Sequence, residues 1–372
     1  MSYHILTLST AGVRLSVQHG FLVCTYPATG EEKRLPLADV RAVVVGTPHS
    51  SFTSECLARL LANQSVVLHC NKHFAPVGWS VPLEQTVRSL AFLNQIHPPQ
   101  QGFDKALWHQ LLWHKAHNQA TCLQLAGAPA EAVLQRLGKP VLDEANIART
   151  YWPLYFEALG QRQKREHQGA ETFENKALNY GYAVYSTLVY RSLLIHGLCP
   201  QLGVHHVLRA KAHPLVYDVL EPLRPFVDYT LWHYLQQGSA KAAKANEEAL
   251  WQGWVPHLMQ SLQTLRLQEG PKATLTFKVM DYVDRYVNSV ARAFEHQTLR
   301  RLHVPLLAHT VLGGEAPCYG QEPAPTAAQL WGEDSDDGDE NDTLANLDPS
   351  LGQFYLQAQG PTGQGVLHMS RF

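Results

Sequence analysis

Residues 94–116 read NQIHPPQQGFDKALWHQLLWHKA, and the fold turns on this stretch. Its first part, Asn94–Phe103, carries Pro98-Pro99 and has the chemistry of a linker, because adjacent prolines neither continue a helix nor pair inside a sheet. Its second part changes period: Ala106, Leu107, Leu111, Leu112 and Ala116 recur at helical spacing. Upstream, Val13–Val17, Phe21–Tyr26, Arg34–Pro36 and Val40–Val45 are short β-prone runs punctuated by Gly, Pro and Asp. One helix interrupts them, where Ser51 or Thr53 caps an apolar repeat through Cys56, Leu57, Leu60 and Leu61. Ser65–His69 then reads as a buried strand. Downstream, helical spacing returns at Ile147–Tyr155, Leu178–Leu193 and Val279–Tyr286. The expectation is an α+β protein. A small β-rich N-terminal domain with one helix (1–93) leads through a linker (94–102) into a larger all-α domain (103–310).

The 372-residue chain has 30 basic and 32 acidic residues, a formal net charge of −2. That balance hides an asymmetry. Residues 311–372 hold ten acids against one base, Arg371, which leaves 29 basic and 22 acidic residues in 1–310. EDSDDGDEND (333–342) has seven acids in ten residues, so 311–372 reads as an acidic, largely disordered tail. The mildly basic body permits a polyanionic partner. No run of about 18 apolar residues predicts a membrane span, and the N-terminus lacks a secretory layout. Six scattered cysteines without a C-x-x-C pair fit a reducing cytoplasm. The G-x-x-x-x-G-K-[ST] and H-E-x-x-H signatures are missing.

Three stretches set polar residues inside apolar helical patterns. In DEANIARTYW (143–152), Glu144 shares a face with residues that pack, and a buried lone carboxylate costs several kcal/mol, on the order of a desolvated charge, unless a cation compensates. The alternative is a helix-terminal acid favoured by the dipole, or an ion pair with Arg149 or Lys139. In GVHH (203–206), adjacent histidines point in different directions, so one of them serves a given site. In HPLVYDVLEPLRP (213–225), Asp218 and Glu221 are i, i+3 neighbours, and Pro222 ends or kinks the helix at Glu221. Their alternative is a pair of solvated acids, opposed by the apolar Leu215, Val216, Val219, Leu220 and Leu223. A Glu, a His and a second Glu form an oxygen-rich set suited to Mg²⁺ or Mn²⁺, and the imidazole tilts it toward Mn²⁺.

Four motifs in order carry a family resemblance: E-x-x-x-A-R-x-Y-W at Glu144–Trp152, L-N-Y-G-Y-A at Leu178–Ala183, G-L-x-P-x-L-G-x-H-H at Gly197–His206, and Y-D-V-L-E-P-L-R-P-x-V-D at Tyr217–Asp228. Together they resemble the CRISPR-associated spacer-acquisition integrase family over about 1–300. The resemblance implies a dimerising β-rich N-terminal domain and a helical catalytic domain. It places Glu144, His206 and Glu221 on the family's metal-binding triad, with Mg²⁺ or Mn²⁺ as cofactor. His206 is chosen over His205 because the family histidine stands fifteen positions before the acid of the E-P-[LF]-R-P run. Asp218 matches a further acid near the site. Many relatives have Asp at the place of Glu221, and Gly where Ala145 stands; the acidic tail has no counterpart.

The implied activity is metal-dependent transesterification: the 3′-hydroxyls of a captured DNA duplex attack the edges of a CRISPR repeat, one per strand. His206 serves either as a ligand or in proton transfer. Candidate DNA-binding residues are Arg149, Arg162, Lys164, Arg165, Arg191, Arg209, Lys211 and Arg224, with Arg149 and Arg224 alternatively holding the triad carboxylates. Tyr151, Trp152, Tyr180 and Tyr182 read as core rather than base-stacking groups. Implied partners are spacer DNA, the leader–repeat, a second copy of the chain, and a small ferredoxin-like protein that completes a heterohexamer, in a prokaryotic cytoplasm. Two rivals remain: a stand-alone metal-dependent DNA nuclease with water as nucleophile, and a catalytically silent DNA-binding assembly subunit.

Overall fold

Val40–Val45 (β5) is buried along its whole length, which explains its continuous run VRAVVV. A strand covered on both faces has no need for alternating polarity. In the computed structural model it is the second strand of a four-stranded sheet ordered β1 (His4–Leu8), β5, β7 (Val66–Cys70), β8 (Pro76–Ser80). The first three strands run parallel and β8 is antiparallel. The described residues lie between 4 and 311, excepting 48, 72–74, 84–87, 140, 168, 209–211, 244–245, 269–275 and 308–309. All belong to one of two compact units, Met1–Thr326.

Val43, Val45 and Val67 meet Leu15, Leu22 and Cys24 of a second sheet, together with Cys56 and Leu60 of helix α1 (Ser54–Ala62). That second sheet comprises β2 (Arg14–Gln18), β3 (Phe21–Tyr26), β4 (Glu31–Pro36) and β6 (Ser51–Phe52), in the order β4-β3-β2-β6. Thr53 caps α1, its hydroxyl accepting from Cys56 N at 3.1 Å. On the other face Ala42, Val44 and Leu68 join the helical core. Period-2 geometry thus sends alternate residues of β5 and β7 into two cores.

The helices are α2 (Ser89–Ile96), α3 (Phe103–Leu125), α4 (Glu131–Leu137), α5 (Glu144–Ala158), α6 (Phe173–Ile195), α7 (Pro214–Leu220), α8 (Arg224–Gln236), α9 (Gly238–Ala242), α10 (Glu247–Thr264) and α11 (Val279–His296). α6 is buried nearly all round. It packs against α7, α8 and α11, and Trp79 of β8 donates to its Thr187 hydroxyl at 2.9 Å. The α+β architecture stands. Two details differ from the sequence expectation. α2 runs through Ile96, so the first residues of the proline-containing stretch are helical, because the Asn94 amide is spent on the Phe294 carbonyl at 2.8 Å and Gln95 binds Cys199. The helical part also carries a small sheet of β9 (Arg266–Gln268), β10 (Thr276–Lys278) and β11 (Thr310–Val311), whose strands are too short for periodicity to reveal. The acidic segment 333–342 lies outside the described residues.

Candidate active site

Asp143 caps α5, its carboxylate accepting from Asn146 N at 3.1 Å, so Glu144 stands in the first helical turn. There the helix dipole favours a negative charge. The partner of Glu144 is neither Arg149 nor Lys139. It is Lys115 of α3, whose Nζ lies 2.7 Å from Glu144 Oε1. The same ammonium stands 2.6 Å from Glu221 Oε2. Lys115 is itself buried, and burial works against its charge, but the carboxylates of Glu221 and Glu144 outweigh that and raise its pKa.

Glu221 opens a single 3₁₀ turn, Glu221–Leu223, between α7 and α8. Pro222 forbids a continuous α-helix there, and the break aims the Glu221 carboxylate toward α3. Asn118 of α3 secures this turn, donating to the Pro222 carbonyl at 2.8 Å and to Pro305 at 3.0 Å. Arg224 Nε donates to Glu221 Oε1 at 2.9 Å. Glu221 is only 2% exposed. Burial pushes its pKa up, but Arg224 and Lys115 prevail, with His206 adding to them, and hold it at about 2. Both carboxyls of the Asp218-Glu221 pair are buried, not solvated.

Asp218 does not join Glu221 at Lys115. Its oxygens accept the backbone amides of Val204, His205 and His206 at 2.8, 3.2 and 3.1 Å, and His206 Nδ1 at 2.7 Å. Four donors on one carboxylate fold the loop into a cup. Nδ1 is thereby engaged, so any further polar contact of the ring falls to Nε2. Gly203 is required by the closeness of this packing: a Cβ there would stand 2.8 Å from Asp218 Oδ2 and 2.6 Å from the His206 carbonyl. His205 stacks flat on Trp108, with ring centroids 4.0 Å apart, while His206 meets Trp108 edge-on. The two adjacent histidines do face different ways.

The remaining motif residues build a support behind the site. Asp228 is fully buried and accepts the hydroxyls of Tyr151, at 2.8 Å, and Tyr182. Tyr155 donates to its backbone carbonyl at 2.8 Å. The Arg224 guanidinium lies over the Tyr182 ring at 4.8 Å. Burial raises Asp228 to about 6, against the pull of the two hydroxyls. Gly181 has no room for a Cβ against Val227, which lets α6 and α8 meet closely. Tyr151, Tyr180 and Tyr182 are buried, as expected of core residues.

The basic candidates separate into two groups. Arg149, Arg162 and Lys164 are exposed, and Arg162 and Lys164 line an open groove with Pro153, Phe156 and Glu157. Arg165, Arg191 and Arg224 are engaged within the fold: Arg165 with Asn175 and Asn179, Arg191 with the Gln64 carbonyl and Asp284, Arg224 with Glu221. Arg209 and Lys211 lie outside the described residues.

Sequence reasoning missed Lys115, Asn118, Trp108 and the clasp on Asp228. Lys115 carried a signal, since it extends the stripe of Leu107 and Leu111 by a further i+4 step and sits on a buried face. Among the described residues no three acids, histidines or cysteines already converge on one metal position. Lys115 Nζ stands between two of the three. The donor chemistry nevertheless suits a hard divalent cation: two carboxylates already drawn to one positive charge, with the His206 imidazole close enough to act electrostatically on Glu221. No described helix is long and apolar enough to cross a membrane.

A family profile described as CRISPR associated protein Cas1 matches residues 6–254. A CRISPR-associated endonuclease Cas1 of Neisseria meningitidis is 29% identical over 309 residues, covering 82% of this chain and 96% of that protein. One from Pyrobaculum aerophilum is 27% identical, covering 60% of this chain and 80% of that protein. A solved CAS1 protein from Thermotoga maritima has a TM-score of 0.65 at 15% identity, covering 78% of this chain and 97% of its own. A casposase bound to its integration product has a TM-score of 0.63 at 14% identity, with coverages of 82% and 93%. These two structures share the fold.

Proposed function

The chain belongs to the CRISPR-associated Cas1 family, and from that premise we propose that it is a metal-dependent DNA integrase of CRISPR adaptation. The carrying observation is that Glu144 and Glu221, from separate motifs, meet at a single cationic position, the ammonium of Lys115. In this reading Glu144, Glu221 and His206 hold Mg²⁺ or Mn²⁺, which when bound polarises the scissile phosphate and stabilises the leaving oxygen. Asp218 orients the His206 imidazole through Nδ1, and Arg224 with Asn118 fixes the Glu221 turn. His206 alternatively carries a proton to or from the reacting oxygens. The 3′-hydroxyl of a captured duplex gives up its proton and attacks the phosphorus at the repeat edge; it becomes joined to the 5′-phosphate of the repeat, and the flanking strand leaves as a 3′-hydroxyl on taking up a proton.

Arg149, Arg162 and Lys164 are the exposed bases proposed to hold DNA phosphates. Arg209 and Lys211 remain in the proposed set from the sequence. The proposed partners are a second copy of the chain, dimerising through the β-rich N-terminal part, and a small ferredoxin-like protein. A chain of like fold (TM-score 0.60, 14% identity) from a solved Cas6-RT-Cas1–Cas2 complex supports a protein partner in general. Hydrolysis is the second reading, favoured by the word endonuclease in the relatives' names. A strand-transfer assay decides. Labelled duplex, leader–repeat target, the small partner and Mn²⁺ or Mg²⁺ are combined with wild type or Glu144→Ala. Joined product lost with chelator and with the substitution supports the integrase; metal-dependent shortening alone replaces it with the nuclease, and binding without either leaves the silent subunit.

A further inference from the structure

We infer that Lys115 is a built-in counter-ion that holds the metal's place between Glu144 and Glu221 and is displaced when the divalent cation binds. This rests on the metal reading of those two acids. The geometry is specific. One Nζ is 2.7 Å from Glu144 Oε1 and 2.6 Å from Glu221 Oε2, so a single positive charge stands where the two acids meet. Without it, two carboxylates from different helical segments would face each other with Arg224 and, at longer range, His206 to offset them among the described residues. Their mutual repulsion would open the site.

Lys115 is not needed to position Glu221. Arg224 holds the other oxygen of that carboxylate, and Asn118 ties down the turn at Pro222 and Pro305. Its distinctive role is therefore charge. A divalent cation between the same oxygens cannot share the place with an ammonium: two like charges a few ångströms apart repel strongly in a buried site. The lysine stem is long, unbranched and rotatable, and Glu144 is one-third exposed, so the ammonium has a solvent-facing way out. An arginine, with its rigid fork, would leave less readily. Metal affinity in this chain is thus set by a competition between an internal cation and an external one, and the pocket keeps its shape before the metal arrives.

Two measurements on the full chain test this, with Mn²⁺ as the probe. Calorimetric titration of Mn²⁺ into wild type, Lys115→Met and Lys115→Arg is expected to give at least tenfold tighter binding for the methionine variant. The arginine variant is expected to bind as weakly as wild type or more weakly. Amine-reactive labelling of the wild type, read at Lys115 by mass spectrometry, is expected to rise severalfold at saturating Mn²⁺. The labelling needs no variant, so a folding defect in Lys115→Met leaves the test intact. Glu144-dependent Mn²⁺ binding with Lys115 still protected, or Lys115→Met binding no tighter than wild type, overturns the displacement while leaving the metal reading in place. Mn²⁺ binding that Glu144→Gln does not weaken overturns the metal reading and this inference together.

Discussion

Asp218 grips His206 twice: its carboxylate accepts the His206 backbone amide at 3.1 Å and the imidazole Nδ1 at 2.7 Å. The residue is fully buried, so these bonds and the amides of Val204 and His205 are its compensation for leaving water. The acid that the motif places next to the candidate site is a loop organiser that fixes the backbone and the ring of His206.

Asp218→Asn keeps the size but replaces one acceptor oxygen by a donor, which faces N–H groups. A stability loss of about 1–3 kcal/mol is expected in chemical denaturation. On the proposed reading of His206 as a metal ligand, strand transfer is expected to fall about 10–100-fold. Full strand transfer by this variant would contradict the role given to Asp218.

Gly203→Ala puts a methyl group against the His206 carbonyl, Pro214 and Asp218 together. Two of these are not flexible side-chain ends, so the loop must move. The expected cost is about 1–3 kcal/mol, with strand transfer impaired alongside stability, read by melting temperature and product yield.

Glu221 and Glu144 are expected to separate stability from activity. Glu221→Gln leaves Lys115 and Arg224 facing a neutral amide at a position 2% exposed, and about 3–5 kcal/mol of destabilisation is expected. Glu144→Gln, at a carboxyl 33% exposed, is expected to cost visibly less stability. Both are expected to abolish strand transfer. Denaturant midpoints measured beside product yields check the contrast.

Arg162→Ala combined with Lys164→Ala removes both exposed bases of the groove beside α5. DNA affinity is expected to fall without altering the melting temperature, and the slope of log K against log salt is expected to shrink by about two. An unchanged slope would remove the groove from the DNA path.

Two buried carboxyls give opposite pH limbs. Asp228 is raised to about 6 by burial, so its contribution is fully present below the ordinary carboxyl value and is lost as pH rises through 6. The loss is on the order of 3 kcal/mol. Glu221 is held at about 2, so its contribution is present above the ordinary value and is lost as pH falls toward 2. Denaturation of Asp228→Asn across pH 3–8 is expected to lack the decline between about 4 and 6 while retaining the acid limb.

The change of hydrophobic period near Phe103, the apolar run of Val40–Val45 interrupted by Arg41 and the proline after Glu221 are local signals, and the α+β architecture follows from them. The sequence also singled out Glu144, Asp218 and Glu221, because an acid inside an apolar helical stripe demands a partner, whereas the choice of His206 over His205 came from the family resemblance. The partners themselves were invisible. Lys115 and Asn118 look like ordinary polar positions of a helix until α3 is packed against the Glu221 turn, and Asp228 gains meaning only when Tyr151 and Tyr182 arrive from other helices. Arg165, Arg191 and Arg224 resemble surface bases in the linear chain, yet each is engaged internally. Periodicity encodes which side of an element is buried. Which charge meets which depends on helix crossings between distant segments, and only tertiary packing sets those.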